Sequence, residues 1–199
     1  MSKDFYDVIE NRRTIYGISK ESTISDERLK EIIEFAVKNT PSAFNSQSSR
    51  VVVLLGKEHD KVWNITKEEL RKIVPAENFQ GTEKKIDSFK NGYGTILFFE
   101  DENIVKSLQQ QYALYKDNFP VWSEQASGML QINIWNALSG EGLGASLQHY
   151  NPLIDNKVRE QWNIPRNWRL RGEMPFGKPT SGPQDKDFLP LEDRVKFYR

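Results

Sequence analysis

The sequence has no cysteine among its 199 residues. That removes disulfides, thiolate nucleophiles, sulfur-liganded zinc and thiol redox chemistry together. Histidine is nearly absent as well. Only His59 and His149 occur, too few for a three-histidine metal centre, and neither sits in a His-Glu-x-x-His helix. No metal is expected. Excess charge of either sign is also missing, since 28 basic residues face 28 acidic ones. No global field favours nucleic acid or a membrane surface, and neither is expected as a partner. No apolar run approaches the roughly 20 residues that span a bilayer. The first residues, Met-Ser-Lys-Asp-Phe-Tyr-Asp, place charges where a secretory leader needs an apolar core. The expected location is the cytoplasm. Chemistry is left to carboxylates, hydroxyls or a bound cofactor.

What is present is a chain able to build a core. Hydrophobic residues make up 37% and aromatics 12%, with five tryptophans and eleven phenylalanines, which argues against disorder. The length suits one domain over residues 1–199. Apolar spacing predicts a short helix over Asp4–Asn11, with Phe5, Val8 and Ile9 on one face. Ser25 reads as an N-cap ahead of a helix carrying Leu29, Ile32, Ile33, Ala36 and Val37, which ends at Pro41. Val51–Leu55 and Thr95–Phe99 read as strands covered on both faces. Helical patterns follow over Val62–Val74, Thr82–Phe89 and Ile104–Tyr115. Glu124–Leu138 is apolar around most of its circumference and reads as a central buried helix. A short helix covers residues 153–162. Residues 168–176 alternate as a half-buried strand. After Gly177 the chain turns polar and proline-rich, then alternates again from Val195 to Arg199 like an edge strand. The reading is an α+β domain with an extended C-terminal arm.

Three segments call for a flat, phosphorylated ligand. Arg12-Arg13-Thr14 follows the first helix and can hold a phosphate by forked, charge-assisted bonds, or stand as a solvated helix end. Thr40–Gln47 is a longer helix-to-strand loop than usual. Its Ser42, Asn45 and Gln47 suit the edge of a heterocycle, or simply close a turn. Leu147-Gln148-His149-Tyr150-Asn151 presents consecutive hydrogen-bonding side chains after Gly140, Gly142 and Gly144, before Pro152 turns the chain.

Together these segments resemble the nitroreductase family, over almost the whole chain. Arg12-Arg13-Thr14 is similar to its Arg-(Arg/His)-Ser phosphate motif. Pro41-Ser42-Ala43-Phe44-Asn45-Ser46-Gln47 is similar to its Pro-Ser-x-x-Asn-x-Gln flavin loop, and Leu143-Gly144 opens the segment that approaches the reactive edge of the flavin. Gly92-Tyr93-Gly94, Phe98-Phe99-Glu100-Asp101, Leu147–Pro152 and Pro190–Lys196 resemble the fatty-acid-repression-mutant-like subgroup. Ser48-Ser49 departs from the Pro-Trp of many relatives. The C-terminal basic pair is partial: Lys186 stands near the expected place with Phe188 beside it, and Lys178 can substitute.

The resemblance implies a nitroreductase-like α+β fold, with a central, mostly antiparallel sheet flanked by helices. It implies FMN held by Arg12, Arg13, Thr14, Tyr16, Ser42, Ala43, Asn45, Gln47, Leu147, Gln148, His149, Tyr150, Lys178 and Lys186. It further implies NADH or NADPH as electron donor, ping-pong hydride transfer through flavin N5, and nitroaromatics or quinones as acceptors. His149 and Tyr150 are candidates for proton donation or for purely structural roles. Trp122, Phe119 and Tyr115 stand as pocket wall or core. The loop at Ser42–Gln47 and the segment Leu147–Asn151 are expected around one isoalloxazine ring. A homodimer with residues 178–199 packed on the partner is implied. Two alternatives stand beside it: a flavin-binding redox or lipid-responsive regulator with incidental turnover, and a binding module without flavin.

Overall fold

In the computed structural model, which describes residues 4–199, alternate residues of one strand divide the interior in two. β3 (Gly94–Asp101) is buried at every position. Ile96 and Phe98 belong to one apolar cluster, Leu97 and Phe99 to another. Successive side chains of a strand point to opposite faces, so each face of the sheet carries its own core. The first is roofed by α2 (Asp26–Asn39) and α6 (Phe119–Gly140). The second lies under α3 (Gly56–Arg71), α4 (Phe79–Lys90) and α7 (Asp155–Trp162). α1 (Phe5–Asn11) and α5 (Glu102–Gln111) each pack against α6.

The remaining strands are β1 (Ile18–Ser19), β2 (Ser49–Leu55), β4 (Gly144–Ala145) and β5 (Trp168–Pro179). Their order is β1-β5-β3-β2, with β4 also on β5, and every strand pairing is antiparallel. One isolated parallel bridge joins Thr14 to Ala145.

Local chemistry accounts for several boundaries. The Ser25 hydroxyl accepts the Arg28 N–H at 3.2 Å and caps α2, and Leu29, Ile32, Ile33 and Ala36 are the face it buries. α3 begins six residues before the Val62 start read from apolar spacing. Gly56 adopts φ +53°, which lets β2 turn directly into a helix, and its first turn is too polar for the periodicity to register. α6 starts at Phe119 rather than Glu124, with Pro120 in its first turn, where a missing N–H costs nothing.

Three expectations are corrected. β5 does not alternate between core and solvent. Gly172 to Gly177 are all buried, because β5 runs between β3 and β4 with a core on each face. β2 is covered on both faces only in part: Val51 and Leu55 pack on the first core and Val52 and Leu54 on the second, but it is the last strand in the sheet order and Val53 is 37% exposed. Within this chain, residues 195–199 form no strand. Beyond the end of β5 at Pro179 the arm carries only a single-turn helix at Leu191–Asp193, and residues 178–199 are exposed throughout.

Candidate functional site

Arg12 ends α1, and its backbone leaves the helical region there. Its guanidinium lies over the Trp135 ring of α6, 4.5 Å from the centroid. Burial, and secondly the charge of Arg13, hold its basicity below the ordinary arginine value. Arg13 donates to the Gln184 carbonyl at 2.5 Å. Neither arginine pairs with a carboxylate among the described residues. Two adjacent cations without a counter-charge form a cradle for a dianion.

Thr14 continues from this pair into the bridge with Ala145, and the Ile15 N–H donates to the Ala145 carbonyl at 3.0 Å. The approach is close enough to need glycine at position 144, where a Cβ would sit 2.8 Å from Ile15 Cγ2. Three residues after Ala145, Gln148 exchanges backbone bonds of 2.7 and 2.9 Å with Glu173 of β5. The Gln148 side chain is buried and donates to Ser146 Oγ at 3.0 Å. His149 is exposed, and its backbone N–H donates to no described residue. The Thr14–Ala145 bridge thus joins the Arg12–Thr14 segment to the stretch that leads on to Leu147, Gln148 and His149. Tyr16, two residues beyond Thr14, is 45% exposed, with its ring 6.5 Å from that of Phe89.

Tyr150 is placed differently from a proton donor. Its ring packs edge-on to Trp63 and Phe89 in the second core, and burial, with the Glu173 charge, pushes its hydroxyl up to about 12. Its contribution to the site is its backbone N–H, given to Glu173 Oε2 at 2.9 Å. The structural alternative is the one this geometry favours.

The Ser42–Gln47 loop is not at this surface within one chain. Ser42 Oγ accepts the Gln47 N–H at 2.9 Å, and Ala43 opens a single-turn helix ending at Asn45. Phe44, Asn45 and Gln47 all hold positive φ, between 49° and 55°. Three such residues in one short loop are a concentration of strain typical of functional sites. The Phe44 ring stacks on Trp122 at 5.9 Å and meets Phe119 and Tyr115 at 5.4 and 5.9 Å, the aromatic set read as a pocket wall. Gln148, Glu173, Leu97 and Val52 form one rung across the sheet. Strand spacing and rise then put Gln47 about 20 Å from Gln148.

The two lysines divide. Lys178 Nζ binds Glu21 at 2.7 Å and its N–H donates to the Glu21 carbonyl, so its charge is already matched. Lys186 lies 5.0 Å from the Phe188 ring, two residues beyond the Gln184 carbonyl that Arg13 holds. Trp135 and Glu173 escaped the sequence reading. Trp135 sits at a helical spacing that reads as core, whereas a lone acid in Gly172-Glu173-Met174-Pro175-Phe176 was a usable signal. Among the described residues there is no cluster able to hold a metal ion, and no helix long and apolar enough to cross a membrane.

The nitroreductase family model matches residues 9–178. The Saccharomyces cerevisiae protein HBN1 is 35% identical over 182 residues, covering 89% of each chain. Nitroreductase FRM2 of the same yeast is 32% identical over 189 residues, covering 94% of this chain and 93% of its own. Nitroreductase CinD from Lactococcus lactis, solved in complex with chloramphenicol, superposes with a TM-score of 0.91 and 46% identity, over 98% of this chain and all of CinD. CinD has also been solved with 4-nitrophenol. The chain belongs to the nitroreductase family of FMN-dependent oxidoreductases.

Proposed function

We propose that the protein is an NAD(P)H-dependent FMN oxidoreductase that reduces nitroaromatics or quinones, with its site completed by a second copy of the chain. The observation that carries the reading is the uncompensated Arg12–Arg13 pair, joined through the Thr14–Ala145 bridge to the open His149 N–H. The donors fit FMN at both ends. Arg12, Arg13 and the Thr14 hydroxyl suit the phosphate, and the His149 N–H with the Gln148 segment suits a ring edge rich in acceptors. Held there, FMN would supply the hydride chemistry between NAD(P)H and an electron-poor acceptor. The chain binds and orients the ring, keeps β5 behind it rigid, and leaves His149 exposed where a reduced acceptor needs a proton.

The separation of the Ser42–Gln47 loop from Gln148 supports a shared site, in which each flavin receives its phosphate grip from one protomer and the aromatic loop from its partner. The unpaired edge of β2 supports a homodimer, as does the groove of about 740 Å³ between β2 and α2. Met129 and Ile132 of α6 are each over a third exposed, and so are Phe188, Leu191 and Phe197 of the arm. In this reading residues 1–199 form one domain, with 178–199 laid on the partner.

The test is purification followed by absorbance, sedimentation and NAD(P)H consumption with 4-nitrophenol and a benzoquinone. A yellow dimer that turns over either acceptor meets the proposal. A colourless protein that does not take up FMN rejects it. Tight FMN with negligible turnover of every acceptor replaces it with the regulator reading.

A further inference from the structure

Glu173 is fully buried in the middle of β5, and hydride transfer by FMN does not require it. Its cross-strand neighbour Leu97 belongs to the second core, so the carboxyl turns to that side of the sheet. One oxygen accepts the Tyr150 N–H, while its backbone exchanges two bonds with Gln148. A single residue therefore holds the Gln148–Tyr150 turn from behind through three hydrogen bonds. The other oxygen, Oε1, has no partner among the described residues.

Buried polar atoms are almost always hydrogen-bonded, so an ordered water is the fitting partner for Oε1. Asp155 of α7, whose Oδ1 is likewise buried without a partner among the described residues, is the acid whose charge reaches Glu173.

The charged and titratable groups around the carboxyl are Tyr150, then Asp155 and Arg159 of α7, then Arg169 and Arg171 of β5. α3 and α4 present the apolar rings of Trp63 and Phe89 to Tyr150. The arginines act on Asp155, and Arg171 also pairs with Glu124. What reaches Glu173 is the negative charge of Asp155.

Resting on the assignment of the flavin edge to the Gln148–Tyr150 turn, we propose that Glu173 is a positioning residue that exchanges its proton through water at the unpartnered Oε1 and whose charge sets how readily the bound flavin is reduced. Burial first, and Asp155 second, push its carboxyl up to about 8. At neutral pH it is a neutral acid and leaves no charge behind the turn. Once ionised, it places a buried negative charge there and opposes the arrival of electrons on the flavin. Reduction then draws one extra proton onto Glu173 from that water. No bond to the flavin is made or broken by this residue.

The test is the flavin midpoint potential of the FMN-loaded full-length protein, followed from neutral to alkaline pH. The wild type is expected to show a steeper fall beginning near pH 8, the signature of one extra proton taken up on reduction. Glu173→Gln keeps an oxygen for the Tyr150 N–H and should lose the steep segment, with a higher potential than wild type at alkaline pH. Superimposable curves overturn the proposal. If the variant does not fold, redox-difference infrared spectroscopy of the wild type decides. A protonated-carboxyl band that grows on reduction at about pH 8 and above supports the assignment, and its absence there overturns it. A protein that never binds FMN rejects the functional reading instead, and is told apart by its lack of colour.

Discussion

The Arg12 guanidinium carbon stands over the Trp135 indole, 4.5 Å from its centroid. This cation–π contact ties the end of α1 to α6 and restrains the guanidinium. Its N–H donors pair with no carboxylate among the described residues, and an arginine side chain binds anions through that fork. Trp135 thus helps to place the cation, while Arg13 beside it makes an anion welcome.

Arg12→Ala should weaken FMN binding by about 1.5–3 kcal/mol, the usual loss for hydrogen bonds to a charged group. Fluorescence titration of the apoprotein with FMN measures it. Unchanged affinity would remove Arg12 from the phosphate site. Trp135→Leu should lower affinity less, because the cation remains but loses its orientation.

A second prediction concerns the core. Thr95 Oγ1 accepts the Trp63 Nε1–H at 2.8 Å and lies 2.8 Å from His59 Nδ1. With the Trp63 proton received, the hydroxyl donates its own to Nδ1. His59 Nε2–H then donates to the Lys90 carbonyl at 3.1 Å. Burial holds this imidazole below its ordinary pKa, consistent with a neutral ring. Thr95→Val keeps the shape but strands two buried polar groups, at a cost of about 2–5 kcal/mol. Urea denaturation reads the loss. A change under about 0.5 kcal/mol would show that the network contributes little.

Much of this fold was legible because its signals are local. The cap at Ser25, the apolar stripe of α2 and the run Thr95–Phe99 depend on nearby residues, and each appears where the spacing put it. The misread strands depend on neighbours distant in sequence. β5 looks half-buried because Arg169 and Arg171 alternate with apolar residues, yet beyond the bulge opposite Phe98 and Phe99 it enters the sheet centre. Val53 looks like core, but β2 is the last strand in the order and leaves it exposed. The site divided in the same way. Arg12 and the Leu147–His149 stretch meet through the Thr14–Ala145 bridge. No local signal could say that the Ser42–Gln47 loop stands about 20 Å from them within one chain.

The arm supplies the third prediction. Removing residues 190–199 deletes Leu191, Val195, Phe197 and Tyr198, all more than half exposed in the single chain. In the dimer reading these side chains lie on the partner, near the free edge of β2. Truncation should shift sedimentation toward monomer and release FMN in parallel. A truncated protein that stays dimeric and yellow would leave the arm without a role in assembly.

Glu173 makes stability itself depend on pH. Its carboxyl stands at about 8 in the folded chain against an ordinary 4.5. Between those values the folded state holds a proton that the unfolded state has released, so stability falls as pH rises. The contribution is complete below the lower value and lost once pH has passed the upper one. The slope approaches about 1.4 kcal/mol per pH unit within the window, and the whole effect is on the order of a few kcal/mol. Asp155 is raised too, chiefly by burial, and adds to the loss with the same sign. Urea midpoints taken at mildly acidic and mildly alkaline pH should therefore diverge for the wild type and converge for Glu173→Gln, with Asp155→Asn as the control for its neighbour. Equal pH slopes in wild type and Glu173→Gln would mean that the buried carboxyl is ionised throughout, and its Oε1 would then need a cation that the described residues do not supply.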